Sequence, residues 1–437
     1  MGPFQIRVLV LCGLAVALDG FSTQTIGYVA PAIAEEWHLG REALSPVFAW
    51  GLIGLMLGAL TFGPVADRFG RKRIIVACTA FFGALSLATA AAHTLDQLIV
   101  LRFIGGLGLG GVMPNSIALT SEFSPRRSRG TMVMAMFCGF PIGATIGGFA
   151  AASIMPAYGW RGVFIVGGAL PILLVPALIW LLPESIRHLV LQDNKTVEVR
   201  ELLTRVHREF AFADGSEFTI REESAPGLAV GHLFRQGRAL STLLLWIVFF
   251  ASLLDLFLLA NWLPTVFHNA GISLSLSVIA TALFQGGGVA GTFALGWVVD
   301  RFGIYRVLTV TYFLGAVFIA LLGHLHSIAA IMACTFGAGI GIIGGQTGAN
   351  VVAALVYPTY IRATGVGWAL GIGRIGSIVG PVVGGIMLAQ RWPLATIFLA
   401  AAIPAVCGSA AIYSMGWTRR STSREARLAG LAPEASK

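Results

Sequence analysis

The chain has 437 residues, 56% hydrophobic and only 11% charged, with a formal net charge of +9 and a mean hydropathy of +0.83. A soluble domain is about 25% charged, so this chain has too little polar surface to cover a water-exposed core. Soluble and fibrous classes are excluded, and the sequence reads as an all-α integral membrane protein.

Each membrane crossing needs about 20 apolar residues. Cutting at charged and Pro/Gly turns predicts twelve spans: 8–34, 44–66, 74–92, 96–118, 128–152, 160–182, 240–264, 273–299, 305–323, 328–353, 363–388 and 392–416. The predicted organisation is a six-helix bundle at 1–182, a cytoplasmic linker at 183–238, a second six-helix bundle at 239–418 and a tail at 419–437. Within the linker, 197–210 has the periodicity of a surface helix. The first span carries Asp19 and no small-residue cleavage site follows it, so it reads as a retained helix. The cysteines Cys12, Cys78, Cys138, Cys334 and Cys407 fall in apolar segments without metal spacing and read as small hydrophobes. Orientation follows Lys and Arg. Arg41, Arg161 and Arg391 fall on one side and Arg102 and Arg374 inside spans. The other basic residues lie on the opposite, cytoplasmic side, together with both termini. Topology thus accounts for the positive charge without a nucleic-acid partner. The basic tail (Arg419, Arg420, Arg424, Arg427) is placed to meet anionic headgroups.

One signature occurs twice. Gly63, Asp67, Arg68, Gly70 and Arg73 at the end of span 2 recur as Gly296, Asp300, Arg301, Gly303 and Arg306 at the end of span 8, each pair 233 residues apart, while Arg71 belongs to the first copy. Pro125 with Arg129 and Pro358 with Arg362 repeat at the same offset. Two pairs in one register indicate a duplicated half. An acid at a helix C-terminus is unfavourable to the dipole unless a cation pairs with it. Asp67 with its arginines therefore reads as a latch holding helices together on the cytoplasmic side, with Gly63 admitting a close neighbour. Arg129, Arg362, Asp300 and Arg301 are read as gating residues of the same kind.

The pattern G-x-x-x-D-R-x-G-R-[KR]-[KR] from Gly63 to Arg73, eroded in its second copy, resembles the major facilitator superfamily. That resemblance implies two six-helix bundles related by a pseudo-two-fold axis. Finer features are Leu18-Asp19-Gly20-Phe21-Ser22-Thr23-Gln24, Arg102, Pro114-Asn115 through Glu122, Pro183-Glu184-Ser185, Asn261-Trp262-Leu263-Pro264, Gly345-Gln346-Thr347-Gly348, Tyr357-Pro358 and Gly373-Arg374. Together they resemble the aromatic acid:proton symporter family. The resemblance implies proton-coupled import of a benzoate-type, hydroxybenzoate-type or phenylpropanoate-type acid across a bacterial inner membrane. In one respect the chain departs from the family: Ser22 stands where its span 1 pattern has a second acid.

An ionisable group at mid-bilayer costs about 2.5–3.5 kcal/mol on insertion scales, and persists when paired or facing water. Asp19, Ser22 and Thr23 share a face of span 1. Asp19 is the first candidate proton carrier, with Arg102 as a partner or substrate contact. Asp255 lies 233 residues after Ser22, which suggests that it takes over part of the missing acid's role. Glu122 is a third proton candidate, or a gate. Arg374 is the preferred carboxylate-binding group, because a guanidinium fork matches a carboxylate. Its neighbours Gly371, Gly373 and Gly376 are read as leaving backbone room around it. Gln346 and Asn350, spaced i,i+4, present an amide face, and Asn261 and Trp262 offer a hydrogen bond and a ring surface. His93, His268, His324 and His326, in loops or at span ends, read as having no role.

The sequence therefore reads as a monomeric secondary transporter of a small carboxylate, coupled to protons through alternating access. With Ser22 in place, an uncoupled facilitator or an exporter of aromatic compounds on the same fold stays open. No nucleophile–base pair, metal cluster or phosphate loop is present, so neither an enzyme nor a cofactor is expected.

Overall fold

The computed structural model describes residues 2–40, 42–125, 127–190, 196–206, 231–235, 238–357 and 359–428. Among these there is no strand. The helices are α1 (Pro3–Glu36), α2 (Ser45–Phe69), α3 (Arg71–Ala90), α4 (Leu95–Phe123), α5 (Arg129–Phe137), α6 (Gly139–Leu181), α7 (Ile186–Val190) and α8 (Thr196–Val206). They continue with α9 (Ala239–Asn269), α10 (Leu274–Phe302), α11 (Ile304–Leu322), α12 (Ile328–Gly339), α13 (Gly345–Val356), α14 (Thr359–Ala389) and α15 (Leu394–Leu428). The predicted surface helix at 197–210 is α8 as far as Val206; its remaining residues lie outside the described set.

Eleven helical segments are long and apolar enough to cross a membrane. One of them, Arg129–Leu181, has 53 residues. At 1.5 Å per residue it is about 80 Å long, roughly twice a bilayer. Gly159, at φ 65° and ψ −174°, breaks it into two. The first part runs parallel to α1, with Gly139 against the Gly13 carbonyl (2.5 Å for an added Cβ) and Gly143 against that of Ala17. The second runs antiparallel to α3, with Gly168 on the Gly83 carbonyl and Ser86 Oγ donating to the Phe164 carbonyl (3.1 Å). Spans five and six are thus a hairpin turned at a glycine, and the crossings among the described residues number twelve. The tenth crossing comprises α12, a π-helical turn at Ile340–Gly344 and α13. Hydropathy alone gave no sign of that turn.

The duplication governs packing. An added Cβ at Gly54 would strike the Phe103 carbonyl, and one at Gly287 that of Phe336. Gly58 lies against Leu107 and Gly291 against Ile340; Gly143 against Ala17 and Gly376 against Phe250. Every one of these positions is separated from its counterpart by 233 residues. Small residues let helix backbones touch where lipid offers no hydrophobic drive, and both halves kept the same ones.

The residues divide into two compact units. Unit 1 is Met1–Glu223 with Ala260–Gly286 and Pro381–Arg391; unit 2 is Ser224–Leu259, Gly287–Gly380 and Trp392–Lys437. The core of unit 1 is an apolar cluster around Val8, Cys12, Ile75, Phe82, Leu109 and Val112.

Candidate functional site

In unit 1, α1 and α4 carry the intramembrane charge. Successive glycines, Gly106 and Gly110, seat α4 on the carbonyls of Gly51 and Leu55 of α2. Arg102 is 8% exposed and one Nη donates to the Ser22 carbonyl of α1 at 3.1 Å. Its Cζ lies 5.9 Å from the Phe164 ring centroid. Its Nε has no partner, and among the described residues no carboxylate forms an ion pair with it. Asp19 is 2% exposed and accepts from Thr23 Oγ1 at 3.1 Å. Ser22 Oγ and both amide atoms of Gln24 are buried without hydrogen-bond partners among the described residues.

In unit 2, Asp255 is 0% exposed. Three residues earlier on α9, Ser252 accepts the Tyr312 hydroxyl of α11 at 3.2 Å. Neither of the Asp255 carboxylate oxygens has a hydrogen-bond partner among the described residues. Arg374 is half-buried on α14, and its carbonyl accepts from Ser377 Oγ at 2.7 Å. The glycines beside it do not leave the room expected of them. Gly373 and Gly376 seat α14 on Leu253 and Phe250 of α9, and only Gly371 has open space. Gln346 Oε1 and Asn350 Oδ1, just after the π-helical turn, are buried without hydrogen-bond partners among the described residues.

At the end of unit 1 remote from the basic loops lies an apolar seam. Trp262 is 2% exposed; its indole N–H donates to the Pro381 carbonyl (2.8 Å), and its ring meets Phe48 edge-on at 5.0 Å. Ser45 Oγ donates to the same carbonyl at 3.3 Å, and an added Cβ at Gly385 would lie 2.6 Å from Ser45 Cβ. Asn261 packs beside Gly27 of α1. His268 Nε2 lies 2.7 Å from Glu35 Oε1, so this histidine is engaged. Glu36 accepts from Arg161 (2.6 Å) and from the Trp160 indole (2.7 Å).

At the basic end, Arg71 pairs with Glu122 of α4 and reaches Asp67 at 3.5 Å. Ser185 Oγ donates to Glu122 at 2.8 and 3.0 Å. Glu184 accepts from the backbone N–H of Lys72 (3.0 Å) and of Ser185 (2.9 Å). Gly70, at φ 102°, lies where any Cβ would overlap the Glu184 carboxylate. His188 Nδ1 lies 3.3 Å from the Asp67 carbonyl. Of the predicted latch residues, Arg71 and Asp67 are thus brought together with Glu122, whereas Arg68, Arg73 and Arg129 are exposed. Gly63 admits no neighbour, since an added Cβ meets nothing within 4 Å. Asp300 and Arg301 are exposed, and Arg301 lies over Phe302 (5.7 Å) as Arg68 does over Phe69 (5.6 Å). The side chain of Arg362 lies outside the described set.

The sequence profile of the Major Facilitator Superfamily matches residues 12–343 and 245–435. The chain belongs to the Major Facilitator Superfamily. It is 40% identical over 419 residues to the 4-hydroxybenzoate transporter PcaK of Pseudomonas putida, covering 95% of this chain and 93% of the relative. It is 39% identical to a gallate transporter of the same species, over 96% and 93% of the two chains. A benzoate transport protein of Acinetobacter baylyi is 33% identical, over 94% and 89%. Among solved structures, an inward-facing, occupied bacterial homologue of the human lysosomal transporter Spinster superposes with a TM-score of 0.70 at 17% identity, over 96% and 98% of the chains. This likeness concerns the fold. As a member of the Major Facilitator Superfamily the chain is a multi-pass membrane transporter.

Sequence reasoning missed Ser45 and Pro381, and quoted Glu184 in a motif without giving it a role; all three act through tertiary contacts between segments distant in the chain. It quoted Gln24 in the span 1 motif but gave it no role, although a glutamine in the middle of an apolar span is itself a signal.

Proposed function

We propose that this transporter imports an aromatic carboxylate by proton symport, through alternating access, across a bacterial inner membrane with both termini cytoplasmic. The observation that carries the reading is Arg102. A buried guanidinium without a counter-charge is strongly unfavourable, and a substrate carboxylate would supply that charge. The relatives' names, a 4-hydroxybenzoate, a gallate and a benzoate transporter, support the substrate class. In unit 2, Arg374 with Gln346 and Asn350 is assigned to carboxylate recognition as well.

Asp19 and Asp255 are assigned as proton carriers, each a buried acid within a span. Glu122, held by Arg71 and Ser185, is assigned to the cytoplasmic latch in preference to proton transfer. Trp262 is assigned to the outer seam in preference to the substrate's ring, because its indole N–H is already committed to Pro381. Asn261 is grouped with it. Seam and latch are the two closures that would open in turn. The protein is taken to work as a monomer.

Thermal stabilisation of the purified protein across aromatic and aliphatic acids tests the substrate class. Aromatic acids are expected to raise the melting temperature, and Arg102→Gln to abolish the shift. Equal stabilisation by aliphatic acids, or an unchanged shift in Arg102→Gln, contradicts the reading. A second reading, uncoupled transport or export, is favoured by Ser22 at the place of the family's second acid.

A further inference from the structure

The stripe of α1 that α6 covers runs through Gly20, Gln24 and Tyr28, one helical turn apart. Gly20 lies against the Phe140 carbonyl. Tyr28 donates its hydroxyl to the Ala144 carbonyl at 2.8 Å, and its ring approaches Gly148. From the other side α10 lays Ala282 on Gly148, 2.6 Å from an added Cβ, and Gly286 beside Thr145, at 3.5 Å. Gln285 lies between those two contacts on the same face of α10. The topology of unit 1 therefore brings Gln24 and Gln285 to one junction of α1, α6 and α10. Both lie one turn toward the basic end from the Tyr28–Gly148–Ala282 contact.

These amides are enclosed and unanswered. Gln24 is 0% and Gln285 1% exposed. Neither amide atom of Gln24 has a hydrogen-bond partner among the described residues, nor does Nε2 of Gln285. Two hydroxyls at the junction already donate elsewhere, Thr145 Oγ1 to the Pro141 carbonyl at 2.7 Å and Tyr28 to the Ala144 carbonyl at 2.8 Å. Buried polar groups are otherwise nearly always satisfied, so an enclosed orphan pair calls for a partner that is not part of the chain.

We propose that Gln24 and Gln285 together form a subsite that reads a hydroxyl group on the substrate's ring. A glutamine amide offers both an N–H donor and a C=O acceptor, and a phenolic hydroxyl is itself donor and acceptor. Two amides on different helices can hold that hydroxyl from both sides. An unsubstituted ring leaves the Gln24 amide and Gln285 Nε2 without partners, and a site built to hydrogen-bond a hydroxyl rejects the analogue lacking it. The ring meets the amides when Ala282 and Gly148 part, so recognition is tied to opening of the seam. This subsite rests on the reading of the substrate as an aromatic carboxylate, which Arg102 carries independently.

The test is uptake by the full-length protein in proteoliposomes of labelled benzoate, 3-hydroxybenzoate and 4-hydroxybenzoate, for the native chain and for Gln24→Leu and Gln285→Leu. Gln24→Met and Gln285→Met serve as second variants should leucine prevent folding. The native chain is expected to favour at least one hydroxybenzoate over benzoate by about tenfold or more in kcat/KM. Each variant is expected to bring that ratio to within about threefold of unity while benzoate uptake persists. Variants that transport benzoate and keep the native preference overturn the subsite, as does a native chain that shows no preference. A native chain that transports none of the three acids overturns the proposed function itself.

Discussion

Gly70 and Gly303 form a matched pair that isolates the cytoplasmic latch. They occupy corresponding positions of the two halves, at φ 102°, ψ 139° and φ 83°, ψ 140°. A side chain is strained in this region by about 1–3 kcal/mol, so alanine costs the same backbone term at either site. Their surroundings differ. An alanine methyl at Gly303 meets nothing within 4 Å, whereas at Gly70 it overlaps the Glu184 carboxylate. Displacing Glu184 removes its bonds to the Lys72 and Ser185 amides. Hydrogen bonds to a charged group contribute about 1.5–3 kcal/mol each, and partial exposure of this site lowers that figure. Gly303→Ala is therefore expected to cost about 1–3 kcal/mol. Gly70→Ala should cost about 2–4 kcal/mol more. Thermal unfolding of the two variants in detergent, alongside uptake, measures the difference. Glu184→Gln in the Gly70→Ala background should add little further loss, because the bonds are already broken. Equal losses in the two glycine variants would refute the claim that Glu184 fastens the loop after span two.

Three further outcomes follow from the geometry. Asp255→Asn should fold and still bind substrate but fail to accumulate it against a gradient; full accumulation in that variant removes Asp255 from proton coupling. The pair Ser45→Cys/Gly385→Cys should oxidise to a disulfide and stop uptake, with recovery on reduction, because the two Cβ positions are adjacent in the closed seam. Uptake undiminished by the cross-link would show that the seam need not open. Gly143→Ala should lower stability by about 1–3 kcal/mol, since its methyl would strike the Ala17 backbone, whereas Gly63→Ala should be neutral or slightly stabilising. Melting temperatures that fall equally in both would contradict the helix contact.

Much of this architecture was legible from the sequence for a simple reason. A bilayer demands long apolar helices and charged loops, so hydropathy and arginine placement mark the crossings. The 233-residue offset was legible too, and it recurs in backbone contacts such as Gly54 on Phe103 and Gly287 on Phe336. The π-helical turn at Ile340–Gly344 was not, because a glycine-rich apolar run carries no mark of its hydrogen-bond register. The partners of Trp262 and Glu122 were not legible, because a polar or aromatic residue in a span announces only that it needs a partner. The partners, Pro381 and Arg71, lie 119 and 51 residues away and are supplied by tertiary packing. Gly63 taught the converse: a repeated small residue is not evidence of a close neighbour in the state at hand.

The central claim is that uptake of an aromatic carboxylate is driven by protons. Its most direct test is accumulation of a labelled hydroxybenzoate in proteoliposomes under an imposed pH gradient, acid outside, with and without a protonophore. The account predicts accumulation above the external concentration that the protonophore abolishes. Equilibration without accumulation, unchanged by the protonophore, would contradict it.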